Sequence, residues 1–181
     1  MFKKYNNVFN QTYLDSVKNT LYTLFSSGNL FDEGSIHESS FGHFGKRNIF
    51  ETLEFNSIKI LNDIVYNDFG SNYQFTHTFS RIYSNGAVLA PHIDRLGHDL
   101  TCSLTVFRNF DKPWLIHLSN KKFEINNIQE SSFLNSYSSV DIEPNEIIIF
   151  KPREHLHWRN PLECNPDQYS LHVFYHWKLI E

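Results

Sequence analysis

The chain is 181 residues long, within the size range of one domain and enough to enclose a sizeable apolar core. Its formal net charge of -4, with basic residues scattered apart from pairs such as Lys3-Lys4, Lys46-Arg47 and Lys121-Lys122, argues against a nucleic-acid or anionic-membrane partner. Two cysteines, Cys102 and Cys164, are too few for a disulfide framework and wrongly spaced for a zinc knuckle, so both read as ordinary thiols.

No apolar run is long enough to span a bilayer, and the opening MFKKYNNVFNQTYLDSV lacks the apolar core and small-residue cleavage site of a signal peptide. A soluble, cytoplasmic protein is therefore expected. The 17 Phe, 9 Tyr and 3 Trp lean the composition toward β structure, because aromatic side chains fit a pleated, half-buried surface. Ten histidines are more than such a length needs, and position must decide which of them matter.

In chain order, residues 11–26 carry Leu14, Val17, Leu21, Leu24 and Phe25 at helical spacing, and TYLD at 12–15 is a candidate capping box; together they predict an amphipathic helix. The Gly- and Ser-rich stretch from Gly28 to Phe55 reads as a long irregular connection with one short strand near Arg47 to Phe50. Connections of that length are mobile or functional. A second helical face follows over 57–69 through Ile58, Leu61, Ile64 and Val65, with Gly70 as its end.

From residue 73 the period becomes two. Phe75, His77, Phe79, Arg81 and Tyr83 alternate with Thr76, Thr78, Ser80 and Ile82, which predicts a strand with one aromatic face. Further strands are predicted at 87–94, 101–108, 114–118, 122–126, 146–151 and 168–180, separated by turn signals at SNG (84–86), NFDKP (109–113), EPNE (143–146) and CNPD (164–167). The expected fold is mainly β: one domain over 1–181, helical and irregular over 1–72, with a jelly-roll, cupin-like core over 73–181 packed by two helices.

Within LAPHIDRLGHDL, His92 and Asp94 are two residues apart, so on a strand both point to one side. They supply two-thirds of a 2-His-1-carboxylate facial triad, the set that leaves open positions on a non-haem iron. The missing histidine should come from a later strand, where FKPREHLHWRNPLE offers His155 and His157. Both have the same parity, and periodicity alone does not choose between them.

The series YSNGAVLAPHID, IEPNEIIIF, HWRNPL and QYSLHVFYHW resembles the double-stranded β-helix of the iron(II)/2-oxoglutarate-dependent dioxygenases, nearest the prolyl 4-hydroxylase-like branch, and spans residues 79–177. Tyr83, Gly86, His92 and Asp94 match that family's Tyr-x-x-Gly followed by His-x-Asp; His157 with Pro161 matches its distal histidine. The resemblance implies a dioxygenase, a hydroxylase, that binds Fe(II) through His92, Asp94 and His157 and uses 2-oxoglutarate and dioxygen as co-substrates. His155 is the fallback ligand, or a group behind the ligands or beside substrate.

One departure concerns 2-oxoglutarate. About ten residues past the distal histidine the family carries an Arg or Lys for the distal carboxylate, often as Arg-x-Ser, whereas this chain reads Gln168, Tyr169, Ser170. An amide donates hydrogen bonds but does not neutralise a buried carboxylate. Arg159 is the best substitute cation, with Arg81, Arg95 and a protonated His172 as alternatives; Tyr83 and Ser170 are the expected neutral contacts. The expected substrate is a small molecule or a peptidyl side chain, shaped by loops at 26–50 and 127–140, and the oligomeric state is open.

Trp114, Trp158 and Trp177 read as core residues before stacking platforms. His77, His98, His117 and His176 read as structural or exposed, although His98 lies near the metal edge. A cupin-like or degenerate oxygenase-fold binding module without turnover is the second hypothesis, favoured by Gln168. A zinc hydrolase is the third, weakened because no further acidic residue has a claim to be its general base.

Overall fold

The computed structural model describes residues 2–26, 43–44, 51–123 and 135–180. Helix α1 (Gln11–Ser26) turns Leu14, Val17 and Leu21 inward, each 3 % exposed or less, as the apolar spacing predicts. Its cap is not the predicted one. The Asn10 side-chain oxygen accepts from Tyr13 N–H at 2.8 Å, so capping falls one residue before the helix rather than at Thr12. Helix α2 (Glu51–Phe69) begins six residues earlier than its apolar face suggests and buries Leu61 and Val65. No helix among the described residues is long and apolar enough to cross a membrane.

Among the described residues ten strands accompany these helices: β1 (Phe2–Asn6), β2 (His43–Phe44), β3 (Tyr73–Ser84), β4 (Leu89–His92), β5 (Leu100–Arg108), β6 (Ile116–Ser119), β7 (Tyr137–Val140), β8 (Glu146–Phe150), β9 (His157–Arg159) and β10 (Tyr169–Leu179). They form two antiparallel sheets, ordered β1-β8-β5-β10-β3-β2 and β4-β9-β6-β7. The sheets face one another. Ile148 and Phe150 of the larger pack with Ile116 and Leu118 of the smaller, and Tyr83 packs with Trp114. This is the jelly-roll-like, mainly β architecture with two helices that the sequence predicts.

Strand alternation in the large sheet separates core from site. Leu171, Val173, Tyr175 and Trp177 of β10, with Leu100, Cys102 and Leu104 of β5, meet α1 and α2 in the principal apolar core. The opposite parity places Ser170, His172 and His176, with Thr101, Ser103 and Thr105, between the sheets, all buried. Polar side chains in that position need partners: Ser170 and His172 meet one another and Thr101 meets His176, whereas Ser103 Oγ has no partner among the described residues.

Strand β3 departs from simple alternation. Its pairing with β10 shifts so that His77 opposes His176 but Phe75 opposes Trp177, a bulge at Thr76. Phe75 is thereby moved off the His77 face and packs edge-on to Trp177 at 5.7 Å. The predicted five-residue aromatic face is therefore four residues long. Trp177, with no exposed surface and its indole N–H donating to Asn62 at 2.8 Å, is a core residue.

Other differences are local. Strands β1, β2 and β7 are not expected from the sequence. Residues 122 and 123 of the predicted 122–126 strand are not in a strand, and the rest of it, like the strand near 47–50, lies outside the described residues. The SNG turn is present: Ala87 N–H donates to Ser84 C=O at 3.0 Å, and Gly86 takes φ 82°, a conformation glycine adopts without a side-chain clash. Pro91 is tolerated because β4 is an edge strand paired only with β9.

Candidate active site

The edge pair β4 and β9 brings the first two candidate ligands together. His92 ends β4 and sits directly opposite His157, which begins β9, with ring centroids 4.2 Å apart. Asp94 lies just beyond the strand, its N–H donating to Pro152 C=O at 3.1 Å. Its Oδ1 is 3.6 Å from Nε2 of His92 and 3.6 Å from Nε2 of His157.

Those separations exceed an ordinary hydrogen bond, about 2.7–3.2 Å. Two ligand atoms each about 2.1 Å from one ion lie about 3.0–3.4 Å apart at octahedral or tetrahedral angles. At 3.6 Å the gap is wider than a proton bridges and close to the tetrahedral ligand spacing. Both rings are also set as ligands. His92 Nδ1–H donates to Ala90 C=O at 2.8 Å and His157 Nδ1–H to His155 C=O at 3.2 Å, leaving each Nε2 lone pair toward Asp94.

Electrostatics favour the ligating protonation states. Burial would raise the Asp94 carboxyl, but the imidazoles of His92 and His98 facing it, with His157 and His176 behind them, hold it well below the usual carboxylate range. Burial pulls His157 down to about 4, helped by its neighbour His92 and opposed by Asp94. The fallback, His155, is buried elsewhere with Nδ1 2.9 Å from Ser119 C=O.

One alternation past His157, Arg159 shares its face of β9. The Arg159 guanidinium is 3 % exposed, lies over the Trp114 ring at 4.5 Å and donates through Nη1 to Trp114 C=O. Its Nη2 is buried with no hydrogen-bond partner among the described residues. The neighbouring carboxylate of Asp141 is already taken, both its oxygens accepting from Arg108 at 2.8 and 2.9 Å. Burial lowers Arg159 to about 10, so it remains a cation at neutral pH. A buried cation with an orphaned N–H is unfavourable unless an anion completes it.

Tyr83, 1 % exposed, stands edge-on to Trp114 at 4.8 Å and to His172 at 5.2 Å. Ser170 Oγ is 2.8 Å from His172 Nε2. Gln168, by contrast, is bound into the turn: its Nε2 donates to Asn109 C=O at 3.0 Å and its Oε1 accepts from Asn165 N–H at 2.8 Å. A cationic His172 does not survive here. Burial, reinforced by Arg159, Arg108 and Arg81, holds the ring neutral, its pKa well below the usual histidine value. Arg95 is exposed and donates to His98. Arg81 is buried over Phe79 at 4.8 Å.

His98, His176 and His77 gather on the far side of Asp94, which sequence reasoning did not anticipate. The available signals were parity on β10, where His176 follows Ser170 and His172 by even steps, and the four-residue spacing from Asp94 to His98.

The buried neutral rings have a consequence for stability. Unfolded histidine protonates near pH 6.5, about 1.4 kcal/mol corresponding to one pKa unit. Because His157 and His172 have depressed folded values, their contribution is full above about pH 6.5 and is lost as the pH falls below it, for His157 toward about 4. The metal-free protein is expected to show lower urea midpoints at pH 5 than at pH 7, and His172→Asn to flatten that dependence.

No protein-family model matches the chain, and no curated protein matches it by sequence. Solved structures do match in fold. A prolyl-4-hydroxylase of Pseudomonas putida aligns with a TM-score of 0.69 at 11% identity, over 98% of this chain and 92% of that one. HygX from Streptomyces hygroscopicus, solved with nickel and 2-oxoglutarate bound, gives 0.70 at 10% over 98% and 82%. SnoN, a non-heme alpha ketoglutarate dependent epimerase from nogalamycin biosynthesis, gives 0.71 at 9% over 97% and 78%. The fold is thus that of the 2-oxoglutarate-dependent oxygenases. Prolyl 4-hydroxylases are among its structural neighbours.

Proposed function

We propose that this protein is a non-haem Fe(II)- and 2-oxoglutarate-dependent dioxygenase that hydroxylates a small molecule or a peptidyl side chain. The observation that carries the reading is the convergence of His92, Asp94 and His157 on one gap, with both Nε2 lone pairs already turned into it. Two imidazoles and a carboxylate suit iron and leave positions for co-substrates. Bound there, iron with 2-oxoglutarate and dioxygen supplies the oxidising chemistry, and the protein supplies position and environment.

The residues divide that work. His92, Asp94 and His157 hold the metal; the Ala90 and His155 carbonyls keep the two rings from rotating. Arg159 Nη2 pairs with the distal carboxylate of 2-oxoglutarate, with Tyr83 and Ser170 beside it, and the Trp114 stack fixes the guanidinium before the co-substrate arrives. Burial of Tyr83, Trp114 and Arg159 excludes water from that end. The domain is the unit that carries this activity over 1–181.

The substrate reading rests on chemistry seen in neighbours. HygX has also been solved with hygromycin B bound, and the Pseudomonas neighbour is a prolyl hydroxylase. SnoN, an epimerase on the same fold, shows why reaction type needs its own test. Protein loaded anaerobically with Fe(II) and then given air and 2-oxoglutarate is expected to release succinate, and His157→Ala to release none. Wild-type succinate no higher than that variant would exclude turnover and favour the binding-module reading, for which Gln168 in its turn is the supporting observation.

A further inference from the structure

The two oxygens of Asp94 face different histidine pairs. Oδ1 faces His92 and His157, whereas Oδ2 lies 3.4 Å from Nδ1 of His98. Ligand atoms of Asp94, His98 and His176 all fall within 4.8 Å of one another. His98 and His176 stack at 4.1 Å between centroids, and the His77 ring lies 5.0 and 4.8 Å from them. The 3.4 Å separation also matches two ligands about 2.1 Å from a shared tetrahedral ion.

The proton position at His176 supports ligation, whereas at His98 the proton starts on the ligating nitrogen. Thr101 Oγ donates toward Asp94 Oδ2 at 3.4 Å and lies 2.9 Å from His176 Nδ1. A hydroxyl has one proton, so with that proton on the Asp94 side the Thr101 oxygen accepts from His176 Nδ1–H. This tautomer leaves the His176 Nε2 lone pair available, on a ring only 6 % exposed and without another hydrogen bond to the ring among the described residues. His98 Nε2 accepts from Arg95 Nε at 3.2 Å. Metal binding at His98 Nδ1 moves the ring proton to Nε2 and ends that donation.

We propose that Asp94, His98 and His176 form a second divalent-metal site that shares the Asp94 carboxylate, as a bridge, with the His92–Asp94–His157 site. The inference goes beyond the oxygenase reading and has only Asp94 in common with it. Two imidazoles and one carboxylate select zinc, iron or cobalt over magnesium or calcium. A cation on Oδ2 withdraws charge from the carboxylate and fixes it in a bridging orientation, tying occupancy of one site to the donor strength of the other. The simpler alternative, that His98 and Thr101 only orient Asp94, requires one ion in all.

The test is the Co(II) content of the full chain, loaded anaerobically with excess Co(II) and freed of unbound ion. Two Co(II) per chain are expected in the wild type and one in each of His98→Asn, His176→Asn and His157→Asn, with His98→Asn still binding 2-oxoglutarate at its remaining ion. A wild type saturating at one Co(II), lost in His157→Asn and retained in His98→Asn, overturns the second site and leaves the oxygenase reading standing. Two ions in both the wild type and His98→Asn also overturn it. No bound Co(II) overturns both. Wild-type stoichiometry decides the matter even if a variant fails to fold.

Discussion

Asp94→Ala is expected to abolish Fe(II) binding and all turnover while the chain stays folded. Among the described residues Asp94 is the one carboxylate that faces both His92 and His157, each at 3.6 Å, and removing it leaves two imidazoles on one strand pair. Disturbing a group that merely supports a ligand lowers metal affinity about 10–100-fold, so removing the carboxylate ligand itself should exceed that. The fold should survive because Asp94 lies outside the strands, at the barrel end of β4 rather than in the apolar core. Iron content after desalting and a thermal melt check both halves. Unchanged iron content would remove Asp94 from the site.

Arg159→Leu is expected to weaken 2-oxoglutarate binding strongly without destabilising the co-substrate-free protein. Truncating one member of a buried charge pair costs about 3–5 kcal/mol, which at about 1.4 kcal/mol per tenfold is roughly 100-fold or more in the dissociation constant. The stability half follows from the orphaned Nη2: in the free protein Arg159 is a buried cation lacking one partner, and a hydrophobic residue of similar volume relieves that desolvation. A merely structural Arg159 would show the reverse, a lowered melting temperature with co-substrate affinity intact. If affinity is unchanged, Arg81 becomes the cation to test.

Much of this arrangement was legible in the chain because its signals are local. The alternation in β10 and β5 separates Leu171, Val173 and Trp177 from Ser170, His172 and His176 without reference to any partner. His92 and Asp94 were visible as a spaced pair, and the resemblance supplied His157. What escaped the sequence depends on distant pairing. Strand β1, FKKYN, has no apolar face and becomes a strand only by joining β8, Phe2 opposite Phe150. Strand β7 is four residues with two serines, held by β6 alone.

The site shows the same division. His98 and His176 are 78 residues apart in sequence, and only the pairing of β10 with β3 and β5 carries His176 to the loop after Asp94. The orphaned Nη2 of Arg159 depends likewise on Arg108 capturing Asp141, a pairing between β5 and the segment after β7. Gln168 stood out in the sequence as a missing cation. The structure shows what it does instead, closing the turn through Asn109 and Asn165.

The measurement that bears most directly on the central claim is an anaerobic titration of the Fe(II)-loaded protein with 2-oxoglutarate, followed by the weak visible charge-transfer absorption of a keto acid chelated to iron. The account predicts that the band appears and saturates in the wild type, is absent in His157→Ala, and in Arg159→Leu requires far more 2-oxoglutarate. Iron bound without any band at saturating 2-oxoglutarate would contradict it.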